Sequence, residues 1–229
     1  MTTFKVKGGK KLKGVLTPQG AKNEALQVLC AVLLTNEEVK MENVPNIRDV
    51  NILIELLVDL NVSVKKVNES TYIFKAENVN IEYLSSDAYK AKSSKIRGSI
   101  MIMGPLLARY GKGYIPRPGG DKIGRRRLDT HFIGFENLGA KFVYDSKEEY
   151  YKVTCTKLKG KYMLLDEASV TGTANIIMTA AMAEGETTIY NAACEPYLQQ
   201  LCKMLNSMGA KISGIGSNLV TIEGVKNLK

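Results

Sequence analysis

The chain has 229 residues, 45% of them apolar and 24% charged, with 20 glycines, six prolines and a formal net charge of +9. That is enough to bury a sizeable core in one large domain or two small ones, and it excludes a disordered, fibrous or low-complexity chain. No apolar run approaches the ~20 residues that a bilayer span needs; the longest, Leu26 to Leu34, is interrupted by Gln27. The N-terminal MTTFKVKGGKKLKG lacks the apolar stretch of a signal peptide, so a soluble, cytoplasmic protein is expected, with no membrane partner. Cys30, Cys155, Cys194 and Cys202 form no C-x-x-C pair, which fits reduced thiols rather than a disulfide framework. His131 is the single histidine, so a His-rich metal site is excluded, a serine-protease-like triad is not supported, and no metal or cofactor is expected.

In chain order, the elements repeat. An apolar helix opens each unit: Ala25 to Leu34, Ile100 to Ala108 and Ile176 to Ala183. A short strand follows: Val39 to Val44, Gly113 to Pro116 and Thr187 to Asn191. A second helix comes next, with apolar residues at i, i+3, i+4 spacing as in Ile52, Leu56, Leu57 and Leu60. It stops near Asn61, Gly139 or Gly209, residues that tolerate a left-handed turn. A hairpin with period-2 alternation closes the unit: Val62 to Lys75, Lys141 to Thr154 and Lys211 to Glu223. The equivalent points Leu60, Leu138 and Met208 lie 78 and 70 residues apart. Three β-α-β-α-β-β units (about 21–78, 79–158 and 159–226) cannot each bury their helices alone. Packing them about a pseudo-threefold axis, helices inward and sheets outward, buries all three. One α+β domain over 21–229 is therefore predicted. Residues 1–20 repeat nothing.

The positive charge is concentrated. Residues 90–127 hold eleven Lys or Arg against one acid, Asp121, while the rest of the chain is nearly balanced, 21 bases against 22 acids. Such a stretch fits a nucleic acid backbone, a small polyanion such as a phosphorylated metabolite, or a solvated basic face. Nucleic-acid readers often interleave aromatics for stacking. Here only Tyr110 and Tyr114 fall in the segment, and the chain has no tryptophan, which favours the small anion over nucleic acid.

Three motifs carry a resemblance: GAKN at Gly20 to Asn23, PGGDKIGRRRLDTHF at Pro118 to Phe132, and SVTGTANI at Ser169 to Ile176. Together they resemble the UDP-N-acetylglucosamine 1-carboxyvinyltransferase family, enolpyruvyl transferases of peptidoglycan precursor synthesis, over essentially the whole chain. The threefold repeat agrees, since that family's domains are inside-out α/β prisms. The resemblance implies a protein about twice this length, with two prisms facing across a cleft. On that expectation residues 1–20 pair with a second domain, residues 21–229 are one prism, and this chain by itself is a half-enzyme that needs the other domain for a complete site.

The implied reaction joins the enolpyruvyl group of phosphoenolpyruvate to the 3′-hydroxyl of UDP-N-acetylglucosamine, with release of phosphate. It needs an acid for the methylene carbon, a base for the hydroxyl, and cations to hold two polyanions together. By resemblance Asp121 is the acid, standing where many members have the cysteine that fosfomycin attacks. A carboxylate is a poorer nucleophile than a thiolate, so fosfomycin tolerance is expected. Nearby bases keep Asp121 ionised, and a bound phosphoenolpyruvate trianion offsets them. Lys22 and Asn23 match the pair that contacts phosphoenolpyruvate and the intermediate, with Lys22 counted among the catalytic residues. Arg97 matches the arginine that binds the sugar nucleotide and Arg126 the arginine near the acid. Leu128, Asp129 and Thr130 align with the stretch at the uridine end, and Ser169 and Val170 with another part of that site; Arg127, also counted as substrate-binding, departs from the proline of many members. His131 also aligns, although a lone histidine is more often structural. The alternatives are enolpyruvyl transfer to shikimate 3-phosphate on the same architecture, a non-catalytic sugar-nucleotide-binding fragment, and a weaker reading as a basic nucleic-acid binder.

Overall fold

The computed structural model describes residues 3–116 and 127–229. Helix α1 (Lys22–Ala31) continues into a 3-10 turn, Val32–Leu34, and strand β1 (Glu38–Met41). Helix α2 (Arg48–Asp59) leads into the hairpin of β2 (Ser63–Lys66) and β3 (Tyr72–Lys75). A 3-10 turn, Ile81–Ser85, and the short α3 (Asp87–Ser93) follow. A further 3-10 segment, Arg97–Ile102, runs directly into α4 (Met103–Tyr110). Strand β4 (Lys112–Pro116), α5 (Asp129–Asn137), β5 (Lys141–Asp145) and β6 (Tyr150–Thr154) come next. The chain then forms β7 (Tyr162–Leu164), α6 (Val170–Ala180), β8 (Glu186–Tyr190), α7 (Pro196–Ser207), β9 (Lys211–Ser213) and β10 (Leu219–Glu223).

The three sheets share one plan. Their orders are β1-β3-β2, β4-β6-β5 and β7-β8-β10-β9, so the closing strand of each unit, β3, β6 or β10, lies between the two strands that immediately precede it in that unit. Phe74 faces Val39 and Val64, Val153 faces Gly113 and Phe142, and Ile222 faces Thr187 and Ile212. These three closing-strand residues are fully buried. Alternate strand residues point at the helices and their neighbours at solvent, the pleat periodicity of a one-sided sheet. Inside, α1 packs on α7 and α2, while α6 packs on α4 and α5. Every residue of α6 from Gly172 to Ala180 is buried, as befits a helix that is apolar nearly all round. Asn61, Gly139 and Gly209 sit just past α2, α5 and α7 with φ of 66°, 103° and 101°. The helix stops expected at those residues are therefore left-handed turns.

The repeat is less regular than expected. Among the described residues only the third unit has an opening strand, β7, which pairs in parallel with β8. In the second unit that place is taken by the 3-10 turn and α3. Ser86 Oγ accepts from Tyr89 N at 3.1 Å and so caps α3, and Ile81, Leu84 and Tyr89 turn inward at helical rather than alternating spacing. In the first unit residues 3–20 form no strand, and 3–19 are exposed. The helix expected at Ile100 to Ala108 is half 3-10. Pro105 lies in the first turn of α4 and has no N–H for an i→i−4 bond, so the regular ladder starts late. All four cysteines are free, with Cys30 and Cys202 buried and Cys194 exposed. Among the described residues no helix is long and apolar enough to cross a membrane.

Candidate functional site

Several helices begin at one end of the prism, around an open cavity of about 570 Å³. Its wall contains Lys22 and Asn23 from the start of α1, Asp49 from the first turn of α2, and Arg97 and Gly98 from the start of the 3-10 segment. Val170 and Thr171 from the start of α6, with their N-cap Ser169, and Tyr197 from the first turn of α7 complete it. The first N–H groups of a helix have no intrahelical acceptor, and the helix dipole adds partial positive charge there. Four bases, Lys22, Lys95, Arg97 and Arg127, share the wall with Asp49 and Glu167. Helix starts and a cationic excess together make an anion-binding hollow.

Lys22 is held loosely enough to serve a ligand. Lys22 Nζ is 3.3 Å from Asp49 Oδ2, with side chains 45% and 38% exposed; such a pair is worth at most about 1 kcal/mol, so an anion can compete for the lysine. Arg97 Nη2 donates to Arg127 O at 2.9 Å, and Arg127 Nε lies 2.9 Å from Asp129 Oδ2. Arg97, Arg127 and Asp129 thus form one chain along the rim. Ser169 Oγ accepts from Gly172 N at 3.2 Å, which caps α6 and fixes the loop beside the cavity.

The cavity brings together six residues expected from the sequence: Lys22, Asn23, Arg97, Arg127, Ser169 and Val170. Three others stand differently. Leu128 is half-buried and lines a separate hollow with Phe132 and Tyr151. Asp129 reaches the site through Arg127. Thr130 is buried, and its Oγ1 donates to Asp166 Oδ1 at 3.0 Å. Asp121 and Arg126 lie outside the described residues. His131 is only 1% exposed and is bonded to Thr171 and Asn175. Burial first, and the Arg97 charge second, lower its pKa from 6.5 to about 3, so it is a neutral structural group behind the wall.

Of the described members of the basic stretch, four are spent on the fold. Lys90 pairs with Glu148 and Asp87, Lys92 with Asp59 and Glu55, and Lys112 with Glu82. Arg109 Nη1 donates to the carbonyls of Leu33, Thr35 and Ala76 at 3.0, 3.0 and 2.7 Å, closing the end of the first helical segment. Only Lys95, Arg97 and Arg127 of its described members line the cavity. Sequence reasoning missed Gln27, Thr171 and Tyr197. Gln27 sits in an apolar helix that reads as core, yet it lines the cavity, and its Oε1 is buried with no partner.

Residues 6–229 match the family model of EPSP synthase (3-phosphoshikimate 1-carboxyvinyltransferase). The chain is 62% identical over 228 residues to the UDP-N-acetylglucosamine 1-carboxyvinyltransferases of Bacteroides thetaiotaomicron and Bacteroides fragilis, and 57% identical to that of Porphyromonas gingivalis. All of this chain is covered, but only 52% of each relative, so the chain spans about half the length of the curated relatives it matches. Among solved structures, the enolpyruvyl transferase NikO from Streptomyces tendae superposes with a TM-score of 0.79 at 17% identity, over 95% of this chain and 50% of that one. An EPSP synthase from Acinetobacter baumannii gives 0.71 at 19% identity, over 96% and 50%. At those identities the superpositions speak for the fold. With the family model matched from residue 6 to residue 229, the chain belongs to the EPSP synthase family of carboxyvinyltransferases, and within it resembles the UDP-N-acetylglucosamine 1-carboxyvinyltransferases.

Proposed function

We propose that this chain forms one wall of an enzyme that transfers enolpyruvyl from phosphoenolpyruvate to the 3′-hydroxyl of UDP-N-acetylglucosamine. The observation that carries the reading is the convergence of Lys22, Asn23, Arg97, Arg127, Ser169 and Val170 on one cavity at the helix starts. Those are the residue types the reaction needs, because both substrates are polyanions and must be held against their mutual repulsion. Lys22 and Asn23 take phosphoenolpyruvate. Arg97 and Arg127, with the first turn of α6, take the sugar nucleotide, and Arg126 joins them near the acid.

In the reaction, the 3′-oxygen bonds to C2 of phosphoenolpyruvate while Asp121 gives a proton to C3. The bond from C2 to the phosphate oxygen then breaks, a proton leaves C3, and the enol ether forms. The base for the 3′-hydroxyl comes from a second domain, with which residues 1–20 also pair, so the prism of residues 21–229 is inactive alone. With Asp121 at the acid position the enzyme tolerates fosfomycin. It works in the cytoplasm on soluble substrates for peptidoglycan synthesis, without a cofactor and without nucleic acid.

The 62% identity to sugar-nucleotide enzymes supports this acceptor. The name of the family model keeps shikimate 3-phosphate as the second reading. Calorimetric titration with both compounds separates them. Binding of UDP-N-acetylglucosamine that falls about tenfold or more in Arg97→Ala or Arg127→Ala, as loss of a charged hydrogen bond implies, is the expected result. Binding of shikimate 3-phosphate alone reverses the assignment of the acceptor. Turnover by this chain without a supplied second domain refutes the half-enzyme.

A further inference from the structure

Behind the cavity wall runs a buried chain of hydrogen bonds whose direction is fixed by groups that have no choice. Gly104 N, a backbone donor, gives its proton to Asn175 Oδ1 at 3.0 Å. Asn175 Nδ2 donates to the carbonyl of Ile100, also at 3.0 Å. A backbone N–H can only donate and a carbonyl can only accept, so the Asn175 amide has one orientation. The same Nδ2 lies 2.9 Å from His131 Nδ1. An amide nitrogen donates only, so Nδ1 accepts and carries no proton. An imidazolium there would set two donors against each other. His131 is therefore neutral with its proton on Nε2, and Nε2 sits 3.2 Å from Thr171 Oγ1. The hydroxyl oxygen accepts that hydrogen bond, which leaves its own hydrogen to donate elsewhere. Among the described residues no acceptor takes it, while Thr171 is half-exposed and lines the cavity with Lys22, Arg97 and Arg127.

We propose that Thr171 is a ligand-binding donor, its hydroxyl proton aimed at the phosphate oxygens of the cavity's anion by a relay of Gly104, Asn175 and His131. Thr171 touches the ligand; His131 and Asn175 are positioning residues. The relay suits the site to an anion, since a hydroxyl that accepts from His131 keeps its own hydrogen to donate, and a hydrogen bond to a charged acceptor is a strong one. The ligand half of the inference rests on the anion-binding reading of the cavity. The direction of the relay does not.

Two measurements test the two halves. His131 is the only histidine, so an untagged chain labelled with 15N-histidine gives a single imidazole, whose two nitrogen shifts report the tautomer at pH 7. The expected spectrum is neutral with the proton on Nε2; a proton on Nδ1, or an imidazolium, overturns the relay. Alongside it, UDP-N-acetylglucosamine and inorganic pyrophosphate are titrated into the unaltered chain, Thr171→Val and Thr171→Ser, each checked for an unchanged thermal melt. Valine keeps the shape and removes the hydroxyl, so binding should weaken about 10- to 100-fold, as loss of a hydrogen bond to a charged group implies. Serine restores the donor and should bind within about threefold of the unaltered chain, on the same scale. Equal binding by the valine variant, or no binding of either anion by any chain, overturns the ligand contact. Binding of pyrophosphate but not of the sugar nucleotide sinks the proposed substrate, and the Thr171 contact is then judged on pyrophosphate.

Discussion

His131 shows how burial turns a titratable group into a stability term. Its folded pKa of about 3 lies below the unfolded value near 6.5. Between those values the unfolded chain binds a proton that the folded chain refuses, so stability is fully present above pH 6.5 and falls with pH down to about 3. Well below pH 6.5 the slope approaches about 1.4 kcal/mol per pH unit. Urea unfolding at pH 7, 6 and 5 should show this loss, and His131→Gln, which cannot be protonated there, should flatten it. An unchanged slope in the variant would assign the loss to other groups. The sequence placed Lys22, Asn23, Arg127, Ser169 and Val170 in motifs that the fold gathers at one cavity. It did not show that Lys90, Lys92, Arg109 and Lys112 serve internal partners. Charge counts along a chain cannot tell a ligand-binding base from one that closes a helix end.

At the scale of elements, hydrophobic periodicity found the paired helices and hairpins of each unit, but it missed α3 and gave no position for the opening strand β7. Both are short, seven and three residues, below the length at which periodicity separates helix from strand. Close packing between elements is also invisible to propensity. Gly104 on α4 lies against α6, and a Cβ there would meet Asn175 Oδ1 at 2.6 Å and Asn175 O at 2.7 Å. Gly104→Ala improves intrinsic helix propensity, yet it must push α4 away from α6 and disturb the Asn175 bonds. A loss of about 1–3 kcal/mol is expected, as for overpacking a close-packed core. A thermal melt checks it, and a raised melting temperature would show that propensity outweighs contact at this interface.

For the molecule as a whole, residues 3–19 are the part that nothing in the described fold covers. Phe4, Val6, Leu12, Val15 and Leu16 are each more than 85% exposed, and residues 3–19 lie in no strand or helix. Removing residues 1–19 should leave stability within about ±0.5 kcal/mol, since the described residues 3–19 are exposed and form no ladder bond. A large drop in chemical-denaturation midpoint would mean that the segment packs on the prism. On the proposed function, the same deletion should abolish productive pairing with a supplied second domain, because the exposed apolar residues are then what that domain covers.

From the sequence alone came the α+β class, the threefold repeat, the left-handed helix stops and the motifs whose residues surround the cavity. These are local or periodic properties: apolar spacing, turn residues and short runs of fixed composition dictate them without reference to distant residues. The tertiary structure decided which bases face the cavity, which units have an opening strand, and which way the proton of Thr171 points. Each of those depends on groups far apart in sequence, such as Gly104 with Asn175 and His131 with Thr171. Only folding sets those groups within hydrogen-bonding distance and removes the water that would otherwise satisfy them.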